Sequence, residues 1–173
     1  MNRLITIMNS VLSWCCISLS SVLVLCVSWQ VFSRYVLNNP STSTDEIARF
    51  LFIWVGLMGA AYTMGQKRHL AIDLLAMKLE KKPLQLSNLN ILISLLSLCF
   101  ACVIMIYGGS KLMLKTLATG QISPALGIEM GLVYAAVPLS GLLMMIYILR
   151  DLFELIVKRQ QLISPTETKT HIN

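Results

Sequence analysis

The side chains of this sequence best suited to react are a cysteine pair three residues apart, eight carboxylates and two histidines. Cys99 and Cys102 form a CxxC, the spacing of a redox dithiol. A working dithiol needs a water-accessible loop or helix end where thiolate can form. Here Leu95, Leu96, Leu98, Phe100 and Ala101 surround the pair, and Cys15, Cys16 and Cys26 also lie in apolar runs. Cysteine in such surroundings reads as a small packing residue. His69 and His171 belong to no metal-ligand spacing. Ser13, Ser18, Ser20, Ser21 and Ser28 crowd one segment with no base beside them, so their hydroxyls are expected to bond backbone carbonyls or a neighbouring helix. The reading is therefore no catalytic residue, no cofactor and no metal site.

The carboxylates are informative through their positions. Asp45, Glu46, Asp73, Glu80, Glu129, Asp151, Glu154 and Glu167 all fall outside, or at the ends of, four apolar stretches: Leu4–Ser33, Phe50–Gln66, Pro83–Ser110 and Met130–Leu149. About 20 apolar residues at about 1.5 Å rise cross a bilayer as a helix. The second stretch is near that lower limit and is expected to borrow a turn from its flanks. With 56% hydrophobic and 13% charged residues in 173, too little chain remains for a separate soluble core. The fold expected is an all-α integral membrane unit of four transmembrane helices, residues 1–157, followed by a polar, flexible tail, 158–173. The net charge of +6 is assigned to anionic phospholipids and not to nucleic acid, because the basic residues sit between spans. The first span is read as retained: it is too long for a signal-peptide core, and no A-x-A site follows it. A coupled transporter places a carboxylate at the membrane midplane. None is available here, and Gln30, the most polar side chain near a span, is close to a span end.

Between the spans the signals are local. Arg34-Tyr35 suits the interface, and Leu37-Asn38-Asn39-Pro40 is a turn. Ser43 and Glu46 have capping-box spacing at the start of the second helix. Residues His69–Lys82 place Leu70, Leu74 and Met77 against His69, Asp73, Lys78 and Lys81, the pattern of an amphipathic helix on the membrane surface between the second and third spans. Lys67, Arg68, His69, Asp73, Lys78, Lys81 and Lys82 would anchor it, with His69 and Asp73 able to pair. The Lys111–Glu129 segment reads as a loop punctuated by Gly120, Pro124 and Gly127, and Pro138 predicts a kink in the fourth span. Of the 14 Lys and Arg, ten lie in the first, third and fifth extramembrane segments; Arg34, Arg49, Lys111 and Lys115 lie in the others. The positive-inside rule then puts both termini in the cytoplasm.

Small residues mark close helix approach. Gly56, Gly59 and Ala60 on the second helix, and Gly127, Gly131 and Ala135 leading into the fourth, are candidates for a subunit interface or for packing within the chain. Glu46 and Arg49, three apart, read as a local ion pair or as a charged contact to a partner.

Taken in order, Arg34-Tyr35-Val36, Glu46-x-x-Arg49, Trp54, Gly59-Ala60-Ala61, His69, Asp73-Leu74-Leu75 and Gly120-Gln121-Ile122-Ser123-Pro124-Ala125-Leu126-Gly127-Ile128, with Tyr134, Pro138 and Gly141, resemble the small membrane (DctQ-like) subunit of tripartite ATP-independent periplasmic (TRAP) transporters over residues 10–150. The overall likeness is to members serving sialic acid uptake, with C4-dicarboxylates the other substrate class. The resemblance implies a non-enzymatic subunit in the bacterial inner membrane. It would brace a large, multi-span, sodium-coupled elevator permease that receives its organic acid from a periplasmic binding protein. It also implies that Arg34, Glu46, Arg49, Lys111 and Lys115 face the side where that binding protein docks. A four-helix membrane thiol oxidoreductase is the alternative, and a homodimeric small multidrug exporter a third reading that lacks its buried carboxylate.

Overall fold

The computed structural model describes residues 2–39, 41–66 and 83–167. Helix α1 (Asn2–Tyr35) is followed by α2 (Thr42–Gly65), α3 (Pro83–Phe100), a π-helical segment (Ala101–Gly108), α4 (Gly109–Ala118), the short α5 (Met130–Tyr134) and α6 (Ala136–Glu167). These form four rods long and apolar enough to cross a membrane: α1, α2, α3 continued through the π segment into α4, and α5 continued into α6. The chain is an all-α membrane protein. Its second rod begins at Thr42, well before the apolar run at Phe50, so it takes the extra turns it needs from Thr42–Arg49. The surface helix expected over His69–Lys82 and the anchoring residues in it lie outside the described residues.

Helix α1 packs chiefly on α2, and α6 packs on α2, α3 and the π segment. Leu12, Met58, Ala61, Met105, Tyr147 and Ile148 are among the buried residues of the resulting core. That core is thin. Trp14, Leu25, Phe52 and Tyr107 are each about 70% exposed. In water such surface would cost about 25 cal/mol per Å²; hydrocarbon removes that cost and selects these residues for lipid or a partner. Buried hydroxyls are bonded, as the dry surroundings require. Ser140 Oγ donates to the Val137 carbonyl at 2.9 Å, Thr116 Oγ1 to Leu112 at 2.9 Å, and Ser33 Oγ to Asn39.

Two elements depart from the sequence-based expectation. Helix continues past Ser110 to Ala118, so Lys111 and Lys115 stand on a helix and the connecting loop begins only at Thr119. No breaker lies between Ser110 and Gly120, and Leu112, Met113, Leu114 and Leu117 continue the apolar pattern. The last helix also runs on to Glu167, beyond the boundary expected at 157.

The π segment lies where two rods meet. The Gly109 amide reaches the Ile104 carbonyl, five residues back, so the turn is wide there. A Cβ on Gly109 would meet Val137 Cγ1 at 2.7 Å, and one on Gly141 would meet Met105 Cβ at 2.7 Å. The third and fourth rods approach to backbone distance at this level. The fourth rod is interrupted at Ala135. Pro138 has no N–H to give the Tyr134 carbonyl, the physical basis of the kink expected there.

Candidate functional site

The rods leave two polar ends. One carries residues 36–39 and 41 and the 119–129 loop, and the site is built there on the first two turns of α2. Ser41 is the N-cap, with extended backbone (φ −83°, ψ 102°), and its side chain makes no cap bond. Thr44 Oγ1 donates to its carbonyl at 3.1 Å. The capping box expected from Ser43 and Glu46 does not form: Ser43 is already inside the helix, and the Glu46 carboxylate is engaged elsewhere.

Glu46 Oε2 accepts from the Ser123 hydroxyl and from the Ala125 amide at 3.2 Å. Both donors sit in the 119–129 loop. Ser123 is 1% exposed, and its Oγ also accepts from the Leu126 amide at 3.3 Å. The loop is closed on itself by Ser123 N–Ile128 O (2.8 Å), Gly127 N–Ser123 O (2.9 Å) and Met130 N–Gln121 O (2.9 Å). Gly120 (φ +60°) and Gly127 (φ +67°) adopt the left-handed backbone its two corners require. Gly127 is thus a turn residue with open space where a Cβ would be.

The neighbouring acid faces the other way. Asp45 Oδ1 accepts from Gln30 Nε2 of α1 at 2.5 Å, and Oδ2 from Arg49 Nη2 at 2.6 Å. The ion pair of Arg49 is therefore with Asp45, four residues back, and not with Glu46. The i,i+4 geometry brings the guanidinium over Asp45 while Glu46 is rotated toward the loop. The Arg49 side chain is 73% exposed, so this pair contributes about 0–1 kcal/mol. Charge-assisted bonds into a partly buried carboxylate are worth more, about 1.5–3 kcal/mol each. Glu46 takes two such bonds from the loop, and Asp45 takes one from Gln30. Arg34, Arg49, Lys111 and Lys115 are exposed, as is Glu129 in the loop.

Below the loop lies an apolar cavity of about 360 Å³ lined by Leu19, Ile47, Trp54, Leu126, Ile128 and Leu132 among others. Its chemistry suits hydrocarbon and offers no polar anchor.

The small residues divide. A Cβ at Gly56 or Gly59 would meet nothing within 4 Å, and Ala60 is exposed, so no described residue packs on this part of α2. Gly131 instead packs under Leu117 and the Met113 carbonyl, joining α5 to α4, and Ala135 forms the interruption of the fourth rod. At the opposite end Tyr147, 1% exposed, donates its hydroxyl to Asn9 Oδ1 at 2.6 Å beside Gly65. The five thiols are free, with Cys102 Sγ 3.8 Å from Met145 Sδ. Among the described residues no group of three His, Cys, Asp or Glu side chains could hold a metal.

Sequence reasoning missed Ser123 as the partner of Glu46 and Asn9 as the partner of Tyr147. A signal for the first was present: a serine ahead of proline in a glycine-bounded turn leaves amides that need an acceptor.

Residues 23–158 match the family described as tripartite ATP-independent periplasmic transporters, DctQ component. A Haemophilus influenzae protein named as a TRAP transporter small permease protein is 29% identical over 143 residues, 83% of this chain and 86% of that one. The sialic acid TRAP transporter small permease protein SiaQ of Vibrio cholerae is 30% identical over 51% of this chain and 49% of its own. The sialic acid TRAP transporter permease protein SiaT of another H. influenzae strain is 28% identical over 67% of this chain, a stretch that makes up only 18% of SiaT.

Proposed function

Because the chain belongs to the DctQ-component family, the small permease subunits of TRAP transporters, we propose that it is the non-catalytic scaffold of a sodium-coupled importer of an organic acid, sialic acid first among the candidates. The substrate reading is supported by the likeness to two proteins named for sialic acid. The scaffold reading is supported most directly by where the carboxylates are. Asp45 and Glu46 are both engaged at one rod end, and the apolar stretches hold no acid at midplane depth to bind a coupling ion.

In this reading a large multi-span permease carries the sodium and substrate sites, and the present chain widens the fixed wall against which that permease moves. Gly56, Gly59 and Ala60 offer the close-approach surface for it. The occurrence of a matching stretch inside the much longer SiaT chain is consistent with such a partnership. Both termini lie in the cytoplasm, the membrane is the bacterial inner membrane, and Lys67, Arg68, Lys78, Lys81 and Lys82 hold anionic phospholipids at that face. The rim of Arg34, Arg49, Lys111 and Lys115 then faces the periplasm and receives the binding protein.

The test is uptake by the reconstituted complex as binding protein is titrated. Reversing Lys111 and Lys115 together to Glu should raise the half-saturating binding-protein concentration about tenfold at low salt, and less at physiological salt. An unchanged titration would remove the rim from the docking surface.

A further inference from the structure

We infer that Glu46 is a positioning residue that sets the shape of the 119–129 loop for docking, and not itself a charge presented to the binding protein; this rests on the docking reading above. Three observations carry it. First, one oxygen of the carboxylate is already occupied. Oε2 accepts from Ser123 Oγ and the Ala125 amide, donors 77 and 79 residues away in sequence. A carboxylate aimed at a partner would keep its acceptors toward solvent.

Second, the donors it holds are the ones the loop cannot satisfy alone. The other amides and carbonyls named above close within the loop, at Ser123–Ile128, Gly127–Ser123 and Met130–Gln121. Pro124 has no N–H, so the segment between Ser123 and Gly127 relies on side-chain acceptors. Glu46 takes Ala125, and Ser123 Oγ takes Leu126 while donating to Glu46. Removing Glu46 leaves the buried Ser123 hydroxyl and an amide without their acceptor.

Third, the tie reaches both sides of the site. Asp45 binds α1 through Gln30, while Glu46 binds the loop. One turn of α2 thereby fixes the loop relative to α1. Leu126 and Ile128 are held over the apolar cavity by the same arrangement. Arg34 stands at the end of α1, Arg49 on α2 and Lys115 in the last turn of α4, just ahead of the loop.

The experiment uses the full chain assembled with its large subunit in proteoliposomes and compares E46A, E46Q and S123A. Amide exchange over residues 123–128 reads the loop; the binding-protein titration of uptake reads docking. Glutamine keeps a carbonyl oxygen for the same donors while discarding the charge, so E46Q should stay close to wild type in both. E46A should speed exchange at Ala125 and Leu126 by about tenfold or more and raise the half-saturating binding-protein concentration several-fold, with the maximal rate unchanged. S123A should move both readouts in the same direction, and it retains the carboxylate if E46A assembles poorly. Unchanged exchange in both E46A and S123A would overturn the positioning role whatever the rim does. An E46Q complex with a protected loop but an impaired titration would also overturn it, by making the charge itself the contact. Faster exchange with an unaltered titration would sever the loop from docking; the lysine reversals then decide whether the docking reading falls with it.

Discussion

At the residue scale, neighbouring side chains of like chemistry have separate work. Asp45 and Glu46 are adjacent acids, yet one holds α1 and the other the loop. That division was not legible in the sequence. An Asp-Glu pair with Arg49 three and four residues on admits either ion pair, and nothing local marks a partner 77 residues away. Asn9 and Tyr147 were hidden for the same reason, being 138 residues apart. Their bond is the clearest residue-level test of the fold. Tyr147→Phe removes the hydroxyl, keeps the ring under Gly65 and leaves Asn9 Oδ1 unpaired. The expected cost is about 1 kcal/mol, read as a lowered thermal midpoint of the detergent-solubilised protein. Gly56→Ala, inside a helix and where a Cβ meets open space, should not lower that midpoint and should raise it slightly.

At the element scale, hydropathy gave the four rods because lipid-crossing length and apolarity are one-dimensional properties. It misplaced the end of the third rod. Lys111 and Lys115 looked like loop residues, although lysine is a good helix former and nothing stops the helix before Gly120. The π segment was also out of reach, since a one-residue change in hydrogen-bond register has no hydropathy signature. It lies where α6 comes close, with Val137 against Gly109 and Met105 against Gly141. Two glycine substitutions separate packing within the chain from packing against another. Gly141→Leu forces α6 off the π segment and should destabilise the isolated chain by about 1–3 kcal/mol. At Gly59 a Cβ would meet none of the described residues within 4 Å, so Gly59→Leu should leave the isolated chain unaffected while co-purification with the large subunit falls. Equal behaviour of the two variants would mean that the α2 position is not an interface.

At the scale of the whole molecule, four long rods enclose a small core and expose large apolar side chains. A thin core and long apolar rods give a large apolar surface, a loop is tied at one end, and in sequence the carboxylates fall outside or at the ends of the apolar stretches. This much was readable from the positions of eight acids against four apolar runs. The spatial unit at the loop end was not, because it is assembled from α1, α2 and the 119–129 loop. The proposed role is therefore that of a fixed frame, with ion coupling and substrate movement belonging to a partner. The most direct measurement is sodium-driven uptake of radiolabelled sialic acid into proteoliposomes, with binding protein supplied, for this chain alone, the large subunit alone and both together. The account predicts no uptake above empty vesicles for this chain alone and full uptake only for the pair; sodium-dependent accumulation by this chain alone would contradict it.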